Sequence, residues 1–222
     1  MNLLPSRSRV LSASAFPESA FRSPVARRQV LRGAAALGFT ALLAACSTAP
    51  EKPIFPEITF ADEPKLTFAA SSVETIQEYQ PSAQPPHIEL TVPQSPVLVA
   101  QRWARDRILL DNSQPYRVTV TIKNASVTEE DLKKTPGIKG SFTEDQVARF
   151  TVDVGMTVEL RDARGFRIAT ATSSAKRSNT IGEKATLNDR DKLLYDLVKA
   201  TMQDVDRELE SNIRQYMPLY VR

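Results

Sequence analysis

Few side chains in this 222-residue chain could do covalent chemistry. One cysteine, Cys46, and one histidine, His87, are the whole stock of thiol and imidazole. A lone thiol makes neither an intramolecular disulfide nor a protein-only zinc site, so acylation is the use left for Cys46. Its neighbours suit that use. Leu43-Ala44-Ala45 puts two small residues directly before it, a pattern that fits a peptidase pocket cutting between Ala45 and Cys46. His87 follows Pro85-Pro86 in a proline-rich stretch and reads as a loop residue rather than a proton carrier. Glu183, Asp189 and Asp191 could gather a divalent ion, yet acids at a helix start ordinarily serve the helix dipole. The chain has no Gly-x-Ser-x-Gly elbow, no Walker-type loop and no His-x-x-Glu-His. Its seven glycines leave little material for a phosphate cradle. No catalytic residue, metal site or cofactor is expected beyond a covalent lipid on Cys46.

The residues ahead of Cys46 have the three parts of an export signal. Arg22, Arg27, Arg28 and Arg32 form a cationic region, and Gly33 to Ala45 is an uncharged run of 13 residues. That run is too short to span a hydrocarbon core, which takes about 20 residues. Arg27-Arg28-Gln29-Val30-Leu31 resembles the twin-arginine consensus, although arginine pairs also occur in ordinary signals. Residues 1–45 therefore read as a signal peptide, with the twin-arginine and general export routes both open. Cleavage leaves Cys46 at the new N-terminus as the acylation site. Ser47 stands where an inner-membrane retention signal would place Asp, so the outer membrane is favoured over the inner, with the domain facing the periplasm.

Removing the signal changes what the charge means. The whole chain has 29 basic and 26 acidic residues, but residues 46–222 hold 23 basic against 25 acidic. The basic balance belongs to the discarded peptide and is no footprint for nucleic acid. Residues 46–65 are rich in Pro and Ala and read as a lipidated, flexible tether with a reach of at most about 65 Å. Residues 66–222 suit a single domain.

Two segments of that domain are candidate contact loops, set against plainer readings as a solvated excursion with Phe142 tucked on the core and as a strand-to-helix link. Residues 129–146 are too long for a tight hairpin and set Lys133, Lys134 and Lys139 beside Phe142. Residues 176–180, led by Lys176 and Arg177, read as the link between the last strand and the last helix. If both fell at one end of the sheet, five basic residues would converge on an anion-facing patch.

The elements that must position these loops follow from periodicity. Residues 66–79 predict a long first strand, and residues 80–96 an irregular proline-rich loop. Ser95-Pro96 opens a helix to about Leu110, with Val99, Trp103 and Leu110 at helical spacing. Residues 116–127, 150–160 and 166–175 alternate as three strands, the last two joined by a turn at Asp162-Ala163-Arg164-Gly165. Residues 188–217 carry an apolar stripe from Leu194 to Met217 at helical spacing, with Thr186 or Asn188 as its cap. The order β-α-β-β-β-α predicts an α+β two-layer sandwich, a mostly antiparallel sheet covered by two helices.

Several of these segments resemble a known group. The Leu43–Cys46 lipobox, Glu78-Tyr79-Gln80-Pro81, the run from Arg102 to Arg107, Asn124-Ala125-Ser126-Val127, the run from Lys139 to Gln146 and the terminal helix are similar to an uncharacterised family of alphaproteobacterial envelope lipoproteins. The element order is also similar to small outer-membrane accessory lipoproteins, including those that assist lipopolysaccharide assembly. The resemblance implies membrane attachment through lipid on Cys46 and carries over no catalytic residue. The expected function is a non-catalytic envelope lipoprotein that acts by binding, as an accessory subunit of an envelope assembly or transport complex. A periplasmic module that encloses a lipid or other apolar molecule is the alternative.

Overall fold

The computed structural model describes residues 53–132 and 145–222. The signal peptide, Arg27, Arg28, Ala45, Cys46, Lys133, Lys134, Lys139 and Phe142 lie outside the described residues. The elements are β1 (Leu66–Phe68), β2 (Ser72–Gln77), α1 (Pro96–Arg107), β3 (Ile108–Leu110), β4 (Arg117–Asp131), β5 (Gln146–Arg161), β6 (Arg167–Gly182) and α2 (Leu187–Tyr216).

The main sheet has the order β2-β4-β5-β6. β2 runs parallel to β4, and β4, β5 and β6 form an antiparallel meander. Alternation explains its two faces. In β5, Phe150, Val152, Val154, Met156, Val158 and Leu160 are all buried toward the helices. Arg149, Thr151, Asp153, Thr157, Glu159 and Arg161 fall on the opposite face. β6 lines its inner face with Ala169, Ala171, Ser173 and Ala175, small residues that let α2 approach closely. α2 packs on β5 and β6, and α1 packs on β4 and α2. Thr186 caps α2 in a reciprocal box with Asp189, the pairing that satisfies two orphan amides at a helix start. Gly165, at φ 86°, takes the left-handed position that closes the β5–β6 hairpin. The expected α+β two-layer architecture is the one found.

Three boundaries differ from the periodicity reading. The first strand is broken: β1 leaves the main sheet, pairs in parallel with β3 and bonds to the chain end through Thr67 and Arg222. The first helix stops at Arg107, because Ile108 is extended and Ile108–Leu110 becomes the partner of β1. β6 continues through Lys176, Arg177, Ser178, Asn179 and Thr180 to Gly182, so those residues are strand and not a link. Their polar run hid the strand; an edge position leaves their side chains exposed and needs no apolar alternation there.

The reading of residues 46–65 as a flexible tether is also corrected where the structure describes it. Ile58 and Phe60 are each only 4% exposed and belong to the core. Phe55 stacks on Tyr195 with ring centroids 5.0 Å apart. Asp106 accepts bonds from the Thr59 hydroxyl at 2.6 Å and the Phe60 amide at 2.8 Å, and Arg102 donates to the Ile58 carbonyl at 2.6 Å. Few apolar residues are needed to dock a short segment when flanking polar groups are also satisfied.

Candidate functional site

Of the six residues expected to make contacts, Lys176 and Arg177 are described, and both sit on β6, one of the two edge strands of the main sheet. Among the described residues β5 alone pairs with β6. Asn212 of α2 donates to the Thr172 carbonyl at 2.8 Å, so the main chain of Thr172 points away from β5. Every second residue of an antiparallel strand shares that direction, which turns the N–H and C=O of Ser174, Lys176 and Ser178 outward. Thr180 N–H points the same way and is taken by Asn179 Oδ1 at 2.9 Å. Side chains thus cap the edge on either side of a central stretch.

A groove of about 650 Å³ runs along that stretch, between Lys176–Asn179 and the first half of α2. Leu193, Leu197 and Ala200 supply apolar surface within it, and Asp189, Lys192 and Asp196 supply charge. Arg177 is held by both oxygens of Asp204, one contact at 3.1 Å. That hydrogen bond from the guanidinium draws the Asp204 carboxyl below its ordinary value. Lys176 reaches Asp153 on the neighbouring strand at 3.5 Å, and Lys192 donates to Asp196 at 2.6 Å. The groove offers main chain without a partner among the described residues, an apolar floor and alternating charge, which together suit an extended polypeptide laid beside β6. The expected convergence of five basic residues cannot be assembled from the described pair, which face ion partners of their own.

Two buried polar clusters escaped sequence reasoning. In the first, Glu89, 2% exposed, accepts on one oxygen from the Tyr79 hydroxyl at 2.5 Å and the Val127 amide at 3.0 Å, with His87 Nδ1 at 2.7 Å. Burial pushes its carboxyl up, but the bonds from Tyr79, His87 and Val127 outweigh burial and hold it below the ordinary value of 4.5. Burial and the carboxylate raise the Tyr79 hydroxyl in turn. His87 is the loop residue expected, packed against β4 through a bridge to Thr128. The cluster ties the proline-rich loop to the half of β4 that β2 leaves uncovered.

In the second, Arg107 is fully buried and donates to Asp206 at 2.8 Å, to Glu210 and to the Pro64 carbonyl. Trp103 Nε1 donates to the same Asp206 oxygen at 2.6 Å. One cluster therefore joins α1, α2 and the docked N-terminal segment. Its signal was present in the sequence: Arg107 continues the apolar side of α1 one turn after Trp103, and Asp206 interrupts the stripe of α2 between Met202 and Leu209. A charge on an apolar stripe points to a buried partner.

The space between sheet and helices is filled. Phe68, Trp103, Phe150, Met156, Leu160, Met202 and Leu209 are fully buried there. No described helix is long and apolar enough to cross a membrane, and no described group of His, Cys, Asp and Glu could hold a metal ion.

No family model and no curated protein matches the chain. Among solved structures it is similar to a minor lipoprotein from Acinetobacter baumannii, with 16% identity, a TM-score of 0.32, and 64% of this chain and 91% of that one covered. It is similar to a Xanthomonas campestris protein of family DUF330, with 8% identity, a TM-score of 0.34, and 74% and 88% covered. It is similar to the rare lipoprotein B from Shewanella oneidensis, with 10% identity, a TM-score of 0.34, and 64% and 92% covered.

Proposed function

We propose that this chain is a non-catalytic, lipid-anchored protein of the bacterial cell envelope, outer membrane rather than inner, and that it acts by binding. Its partner is an extended segment of another envelope protein, held against β6, which makes the chain an accessory subunit of an envelope assembly or transport complex. The observation that carries the reading is the outward-turned main chain of Lys176 and Ser178 beside the Leu193, Leu197 and Ala200 floor. A free edge needs a partner that offers main-chain donors and acceptors at strand spacing, and another strand does so. The lipid anchor rests on the Ala44-Ala45-Cys46 site and the signal before it. An apolar ligand held between sheet and helices is less well supported, since large side chains occupy that space.

Affinity isolation from envelopes in mild detergent tests the reading, comparing the wild type with Lys176→Pro. Proline at this outward-facing edge position removes a donor from the groove without removing a bond to β5. A stoichiometric protein that co-purifies with the wild type and is lost with the variant is the expected result. No reproducible partner, or one retained in full by Lys176→Pro, would overturn it.

A further inference from the structure

The docked N-terminal segment limits how the domain can stand on a membrane. Pro53 and Phe55 share a groove with Thr91, Val92, Pro93 and Asp191, which places them at the N-terminal end of α2. Around that groove stand Ile54, 92% exposed, Leu90, 65%, and Leu187, 80%. Exposure by itself does not choose this end, because Phe166, Tyr216 and Leu219 are exposed at the other. Chain length does choose. From Cys46 to Pro53 there are seven residue steps, a reach of at most about 25 Å. From Asp191 to Tyr216, α2 extends about 37 Å. With lipid on Cys46, the domain cannot stand inverted with Tyr216 and Phe166 at the bilayer. Lying flat would press the Thr- and charge-lined face of the sheet or the Lys192, Asp196, Lys199 and Arg207 face of α2 onto lipid. Lying on a long edge would press onto it Glu74 and Arg117 beside the exposed Val73 and Ile76 of β2, or Lys176 and Arg177 of β6. Each of these would desolvate charge.

We infer that the end carrying Ile54, Leu90 and Leu187 rests in the interface of the phospholipid leaflet that holds Cys46, with the β5–β6 hairpin pointing away. This rests on the lipid-anchor reading. The three side chains are a second apolar signal beside the covalent lipid, and they set the orientation that the covalent lipid leaves free. The groove along β6 then runs up from the membrane, open to a partner in the aqueous space.

The test uses the full acylated protein in vesicles of phosphatidylethanolamine and phosphatidylglycerol. Variants Leu90→Cys, Leu187→Cys and Phe166→Cys each carry an environment-sensitive fluorophore, and the vesicles contain a lipid-borne quencher. Intact mass, taken first, reports whether Cys46 is acylated. The labels at 90 and 187 are expected to lose most of their emission while that at 166 keeps its own. Equal quenching at 166, or none at 187, in protein of acylated mass overturns the orientation and leaves the anchor standing. A mass without lipid removes the anchor, and the inference falls with it.

Discussion

At the residue scale the chain concentrates its cost in two carboxylates, Glu89 and Asp206, each buried and each bonded by more than one donor. All three of the Glu89 contacts fall on Oε1, and its buried Oε2 has no partner among the described residues, so part of the desolvation cost of this carboxylate is left uncompensated. Glu89 also gives stability a direction with pH. Its folded value lies below 4.5, so its contribution is full above that value and is lost as pH falls through the lower folded one. Glu89→Gln keeps the shape and an acceptor but loses the charge. It should cost about 1–3 kcal/mol at neutral pH, and the gap to the wild type should close below about pH 4.5. Urea midpoints of both proteins from pH 7 to pH 3 measure this; a gap independent of pH would show that the charge contributes nothing.

At the element scale the N-terminal segment behaves as a strap across the helices rather than as spacer. Phe60 enters the core and Ile54, six residues earlier, does not. Phe60→Ala should therefore destabilise the domain by about 3–5 kcal/mol, whereas Ile54→Ala should stay within about 0.5 kcal/mol of the wild type. Denaturant unfolding of the two variants distinguishes a docked strap from a free tether, for which both would be neutral. The same comparison shows why this strap was hard to read in the sequence. Prolines 53, 56 and 64 argue against helix and strand, and they do; they say nothing about whether an extended segment finds a groove to fill. The first strand failed for a related reason. Its apolar residues continue from Leu66 toward Val73, but Ala69–Ser71 lets the chain pass from one sheet to another, and only the positions of β3 and the chain end decide where it pairs.

At the scale of the whole molecule, the two-layer domain leaves the outer side of β6 without a strand partner among the described residues and carries exposed apolar tips at two ends. Cys46→Ser should move the protein from the membrane pellet to the soluble fraction of lysed cells, without changing the melting temperature of the purified domain. Fractionation checks the first and calorimetry the second. A variant that stays membrane-bound would show that something other than lipid on Cys46 holds the chain there.

What the sequence determined by itself is what rests on local pattern. The alternation of β4 and β5, the stripe of α2, and the α+β class follow from side-chain periods of two and 3.6 along the chain, and the one cysteine after Ala44-Ala45 sets the expected chemistry. What the tertiary structure alone decided are relations between distant segments: the parallel pairing of β1 with β3, the strap bonded to Arg102, Asp106 and Arg107, the loop bonded to Val127 through Glu89, and the edge position of β6. Lys176 and Arg177 show the difference. In sequence they are a basic pair before a helix; in the fold they are edge-strand residues facing Asp153 and Asp204. Charge and polarity are legible in one dimension, but which partner neutralises a charge, and which side of a strand stays unpaired, depend on neighbours that only folding brings within reach.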